Sequence, residues 1–139
     1  MSNDNPETDR QGRTPLHYAA LQGDVIEVRN LIESGFEPDV ADHQGFTPLH
    51  LAAQEWRVDA ARALLDAGAS VDAKNQFGNT PLFVAVFNSR GRKELIALLR
   101  ERGADPFSEN LHGNSPFDLA KKIANFDVRQ HFADLDVAE

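Results

Sequence analysis

Two histidines in this chain, His17 and His50, share one local context, Thr-Pro-Leu-His, 33 residues apart. Imidazole titrates nearer neutrality than any other side chain, so a repeated histidine raises acid–base or metal chemistry first. The rest of the sequence gives that chemistry nothing to work with. His43, His112 and His131 are isolated, and no HExxH or comparable spacing aims two imidazoles at one metal. A GxSxG elbow, a GxxxxGKS/T phosphate loop and a GxGxxG fingerprint are all missing. Asp134 and Asp136 are a carboxylate pair, but they lie in an acidic C-terminal stretch where nothing would hold them in catalytic geometry. Cysteine is absent, which excludes thiol nucleophiles, thiolate metal sites and disulfides. The expectation is no catalytic set, no metal, no cofactor and no enzyme.

The spacing of the histidines belongs to something larger. GRTPLHYAA (Gly12 to Ala20), GFTPLHLAA (Gly45 to Ala53) and GNTPLFVAV (Gly78 to Val86) superpose residue for residue at a period of 33, and GNSPFDLAK (Gly113 to Lys121) is a fainter fourth copy displaced by 35. A fixed period of this size predicts stacked supersecondary units. Gly12, Gly45, Gly78 and Gly113 fall where a tight turn needs positive φ. Thr14, Thr47, Thr80 and Ser115 then offer N-cap hydroxyls, and Pro15, Pro48, Pro81 and Pro116 suit the first helical position. The first helix is small-faced, with Ala19, Ala20, Ala52, Ala53 and Ala85. The second is bulkier, built on Val25, Val28, Leu31 and Ile32, then Ala61, Leu64 and Leu65, then Leu95, Ile96, Leu98 and Leu99. Gly35, Gly68 and Gly103 read as helix stops. No helix of a single unit can bury its apolar face alone, so stacking must supply the core.

The run Asp-x-x-Gly-x-Thr-Pro-Leu-His-x-Ala-Ala, followed by an apolar helix and Gly-Ala, resembles the ankyrin repeat. The resemblance implies an all-α solenoid of helix-turn-helix units joined by β-turn loops. Its four repeats are placed at about 9–41, 42–74, 75–109 and 110–133, between polar tails at 1–8 and 134–139. It also implies that His17 and His50 are structural imidazoles that tie one turn to the next, with Thr14 and Thr47 as local partners. Phe83 and Asp118 stand at that position in the later copies. The last copy carries Lys121 and Lys122 where a repeat interface would want apolar residues, as suits an end facing water, and its second helix is expected from Asp127 to about Phe132.

Composition agrees with an ordinary soluble protein of 139 residues, 41% hydrophobic and 26% charged. No apolar run approaches the ~20 residues of a membrane span, and MSNDNPETD lacks the basic and apolar regions of a secretory signal, so a cytoplasmic protein is expected. The net charge of −8 falls entirely in residues 1–73, with 13 acids against 5 bases. That distribution disfavours nucleic acid and leaves two readings open, a solubility charge or steering of a basic partner. Arg90, Arg92 and Lys93 make a basic cluster too small for nucleic acid.

In the ankyrin family the turn tips and the exposed side of the first helices form a concave partner-binding surface. Carried onto this chain, that surface comprises Arg10, Gln11 and Arg13, then His43, Gln44 and Phe46, then Gln76, Phe77 and Asn79, with Glu55, Trp56, Phe87 and Asn88 at the helix ends. Phe46, Trp56 and Phe77 are the expected anchors, since aromatic residues dominate binding hot spots. Trp56 stands where the first repeat has Gly23, a local violation of the kind expected at a functional or strained site. Phe77 and Phe87 either contact a partner or pack on a neighbouring turn. Repeat three carries two extra residues, either both between its helices or one there and one near Leu98 to Gly103; such an insertion marks a binding loop or neutral drift. The expected function is a stoichiometric protein-binding module, monomeric when free. With no companion domain in the sequence, inhibition or sequestering of a basic partner, in the manner of an immunity protein, is favoured over an adaptor joining two proteins. A small-molecule binder or enzyme is the remaining alternative.

Overall fold

Each repeat begins with the same local construction, and the backbone geometry follows the sequence signals. Gly12, Gly45, Gly78 and Gly113 all adopt φ between 78° and 83°, the left-handed region that a side chain would strain. Two residues further on, Thr14, Thr47, Thr80 and Ser115 are extended and accept a hydrogen bond from the amide three residues ahead, with proline following. In the computed structural model, which describes residues 8–123 and 126–135, these caps open the first helix of each pair. The helices are α1 (Pro15–Gln22) and α2 (Val25–Glu33), α3 (Pro48–Gln54) and α4 (Val58–Asp66), α5 (Pro81–Phe87) and α6 (Glu94–Glu101), and α7 (Pro116–Lys122) and α8 (Phe126–Gln130). Among the described residues there is no strand.

The helices form two layers. First helices stack on first helices, α1 on α3 on α5 on α7, and second helices stack as α2 on α4 on α6. The small residues of the first layer (Ala19, Ala20, Ala52, Ala53 and Ala85) are buried, and Val28, Leu64, Leu65, Leu95, Ile96 and Leu99 close the core from the second. At every step one backbone bond joins successive turns: His43 N–H donates to Gln11 O, Gln76 N–H to Gln44 O and Leu111 N–H to Phe77 O.

The extra residues of repeat three have a definite place. Leu95, Ile96 and Leu99 occupy the core positions of Ala60, Ala61 and Leu64 in repeat two, and Gly103 repeats the left-handed stop at Gly68. The offset is 35 throughout α6, whereas α5 still follows α3 at 33. Both extra residues therefore lie in the turn between α5 and α6, where Arg90 (φ 51°) and Gly91 (φ 82°) take left-handed conformations.

The C-terminal end differs from expectation in two details. The last helix starts at Phe126 and ends at Gln130, and Val128 and the following Phe132 are its buried anchors. Residues Ala133–Leu135 form a 3-10 turn where only a polar tail from residue 134 is expected, and both carboxylate oxygens of Asp134 accept from the Arg100 guanidinium, at 3.0 and 2.9 Å. Asp136, most of the N-terminal tail (1–7) and residues 136–139 lie outside the described residues.

Candidate partner-binding groove

The histidines resolve first. Thr14 N–H donates to His17 Nδ1 at 3.0 Å, which fixes the proton on the other ring nitrogen, and Nε2–H donates to the Phe46 carbonyl of the next repeat at 2.9 Å. His50 repeats this with Thr47 N–H at 3.1 Å and the Asn79 carbonyl at 2.8 Å. Burial pushes both imidazoles below the ordinary histidine value despite those carbonyls. Both side chains are fully buried and hold one turn to the next. Among the described residues no cluster of three or more His, Asp or Glu is placed to hold a metal.

A second series of contacts joins each turn to the acidic or amide residue of the following one. Arg13 Nε donates to Asp42 Oδ2 at 3.1 Å. Burial alone would raise the Asp42 carboxyl, but the amides of Phe46 and Gln44 and the Arg13 guanidinium outweigh it and hold the group below its ordinary value. At the third interface Asn110 Nδ2 donates to Asn79 Oδ1 at 2.8 Å. At the second, Phe46 stands in the place of Arg13 and cannot accept. Asn75 Oδ1 is used by the amides of Phe77 and Asn79, and its buried Nδ2 has no partner.

Asn75 lies in the wall of a groove of about 390 Å³ on the turn-and-first-helix side. Phe46, Phe77, Phe83 and Phe87 supply the rings, joined by Val84 and by the carboxamides of Gln54, Asn79 and Asn88. Phe87 is 70% exposed and Phe77 45%. The groove thus gathers Phe46, Phe77, Phe87, Asn79 and Asn88 from the expected surface. Arg10, Gln11, His43, Gln44, Glu55 and Gln76 are exposed on the same turns and helix ends but do not line it. Arg13 is half-buried on Asp42, with its guanidinium 5.7 Å above the Tyr18 ring. Phe83 lines the groove but is absent from the surface the sequence suggests, because there it reads only as the replacement of a repeated histidine. A signal existed, since Phe77, Phe83 and Phe87 all break their repeat columns within one unit.

Trp56 requires a correction. It is 7% exposed and packs in the core, so it is not an anchor presented to a partner. Its indole N–H donates at 2.9 Å to the Ala85 carbonyl in the last turn of α5, a group that helix geometry leaves without an intrahelical donor. The Arg92 guanidinium sits 4.5 Å over the ring. The anomaly at Trp56 and the insertion in repeat three are therefore one structural device: the longer turn brings Arg92 across the interface to cover the tryptophan. The backbone strain anticipated there is present, with Trp56 at φ 56°.

The acidic excess is spread over the chain. Asp24, Glu27 and Glu33 outnumber Arg29 on and beside α2, Asp59 and Asp66 on α4 are matched by Arg57 and Arg62, and Glu37, Asp39 and Asp72 lie in the loops after these helices; none of them lines the groove. A second cleft, of about 400 Å³, lies at the C-terminal end between Phe117 and Phe132. There the rings are already covered by cations of the chain, Lys121 Nζ 5.0 Å over Phe117 and Arg100 5.4 Å over Phe132. No helix among the described residues is long and apolar enough to cross a membrane.

Among curated proteins none matches the chain closely enough to be a relative. A family model described as ankyrin repeats (3 copies) matches residues 1–75 and 28–110. With most of its length so matched, and with stacked helix pairs joined turn to turn by buried histidines, the chain belongs to the ankyrin repeat family, whose repeats are protein–protein interaction modules.

Proposed function

We propose that this protein works by stoichiometric occupation of a partner protein, as an inhibitor or sequestering protein of the immunity type, acting in the cytoplasm and monomeric when free. The observation that carries the reading is the groove: Phe87 stands largely open to water and Phe77 nearly half so, beside Phe46 and Phe83. Exposed rings gathered in a concave site are what a partner's hot spot fits. Arg10, Gln11, His43, Gln44, Glu55 and Gln76 would form the polar rim. The groove lining holds no ionisable group, which argues against the small-molecule enzyme reading because acid–base catalysis has no residue there to use.

A second reading, an adaptor, draws on the acidic α2 end of the second-helix layer, where Asp24, Glu27 and Glu33 outnumber Arg29, since a basic protein could dock there while the groove holds another. Affinity capture from the host's lysate, with wild type beside a Phe77→Ala/Phe87→Ala variant, tests the assignment. A protein retained by wild type alone, whose own activity falls to zero at one equivalent, supports inhibition. Unchanged activity with a second protein recruited supports the adaptor. Equal retention by both variants would remove the groove from the binding face.

A further inference from the structure

Resting on the reading that this face docks a protein, we infer that the groove receives a short, uncharged, apolar segment of the partner, which supplies a carbonyl to Asn75 Nδ2. This differs from the basic partner that net charge alone suggests. In a chain with 26% charged residues, the groove walls contain phenylalanine, Val84 and carboxamides and nothing ionisable. A lysine or arginine seated there would lose hydration with no carboxylate in the walls to meet it; Glu55, which accepts from Gln54 Nε2 at 3.3 Å, is exposed at the rim. The nearby carboxylate of Asp42 is already paired with Arg13, and the acids of α2 and α4 lie in the other layer. Electrostatic complementarity therefore selects a neutral occupant.

Asn75 adds a directional requirement. At the first and third interfaces the corresponding side chain is bonded across the repeats, to Arg13 and to Asn79. At the second, Phe46 replaces the partner and leaves a buried donor unbonded. The amide cannot be turned to hide it, because Oδ1 is held by two backbone N–H groups at 2.9 and 3.1 Å. An unsatisfied buried donor is costly, and an acceptor entering with a ligand removes that cost. The nitrogen is closed to water in the free protein, so an acceptor reaches it only if the groove wall at Asn75 opens as the occupant seats. The groove is near the lower limit of about 300 Å³ for clefts that enclose a ligand, room for a few side chains of a short segment.

The test uses the full chain and a displayed library of random peptides about 12 residues long, as fits a groove-bound segment. Selection is against wild type, with Phe77→Ala/Phe87→Ala as the counter-target, followed by affinity measurements on the enriched peptides. The expected peptides are rich in aliphatic or aromatic residues and poor in charge. Their affinity should change less than about twofold between ~50 and ~500 mM salt. It should fall about 30-fold in Phe87→Ala and about tenfold in Asn75→Asp, which keeps the turn acceptor but removes the donor. Should Asn75→Asp fail to fold by circular dichroism, the Phe87→Ala loss and the salt response decide the matter. Enrichment of Lys- or Arg-rich peptides, peptides that bind the variants equally, or no enrichment would each overturn the inference. So would a wild-type dimer in sedimentation that dissociates on Phe77→Ala/Phe87→Ala, which would assign the groove to a second copy. Failure of the underlying module reading looks different: lysate capture then yields no partner on any face.

Discussion

Replacing Trp56 by alanine and by glycine should give opposite answers to an ordinary helix-end position. The side chain is 7% exposed, its indole N–H holds the Ala85 carbonyl and Arg92 lies over its ring. Truncating a buried tryptophan to alanine costs about 3–5 kcal/mol. The backbone acts in the other direction. At φ 56°, alanine keeps a left-handed strain of about 1–2 kcal/mol that glycine does not have. Trp56→Gly should therefore be about 1 kcal/mol more stable than Trp56→Ala, although glycine is the smaller residue and ordinarily the worse one. Urea unfolding followed by circular dichroism separates them. With a slope of about 2 kcal/mol per molar, the alanine variant's midpoint should fall by about 2 M, and the glycine variant's by about half a molar less. Arg92→Ala should remove the stacking, about 1 kcal/mol, together with the guanidinium's bonds to the Ser89 and Asn88 carbonyls, about 1 kcal/mol more. If Trp56→Ala lowers stability by less than about 1 kcal/mol while abolishing partner capture, the tryptophan is a contact residue and its structural assignment is wrong.

Other outcomes follow from the same interfaces. His17 and His50 are held neutral, so their contribution is complete above the unfolded value of about 6.5 and is lost as pH falls below it, when the unfolded chain binds protons that the folded chain does not. His50→Phe, which copies Phe83, should make stability fall less steeply between about pH 6.5 and pH 5, by up to about 1.4 kcal/mol per pH unit; an unchanged slope would sink this account. Gly45→Ala would place its Cβ 2.9 Å from Asn75 Cα and Gln76 N at φ 83°, whereas at Gly113 (φ 78°) nothing lies within 4 Å. The first should cost about 3 kcal/mol and the second about 1–2, and equal thermal shifts would refute the close approach of repeats. Asn75→Asp alone should destabilise by burying an unpaired charge. Adding Phe46→Arg should rebuild the Arg13–Asp42 pair one repeat along, with a coupling of about 2 kcal/mol in a double-mutant cycle.

Whatever one repeat or its nearest copy can dictate is legible in the amino-acid order alone. The turn glycines, the threonine caps, the prolines and the helix stops act within a few residues, and repetition every 33 residues makes each local reading check the others. Much of the groove was legible for the same reason, since Phe46, Phe77 and Phe87 break columns that the fold otherwise fills. Trp56 breaks its column too, and there the inference from violation to exposure failed. Its environment comes from Ala85 and from Arg92, 29 and 36 residues away. Whether an inserted turn folds outward or reaches back over a neighbour depends on side-chain packing across an interface, which no periodicity encodes. The orphaned Asn75 amide is of the same kind: Asn75 differs from Asp42 by one atom, and only the phenylalanine standing opposite it makes that difference matter. Charge followed this rule as well. Net charge is a sum over the chain, but which layer carries the acids is decided by the helices on which they fall, and here stacking puts the acids of α2 and α4 away from the groove.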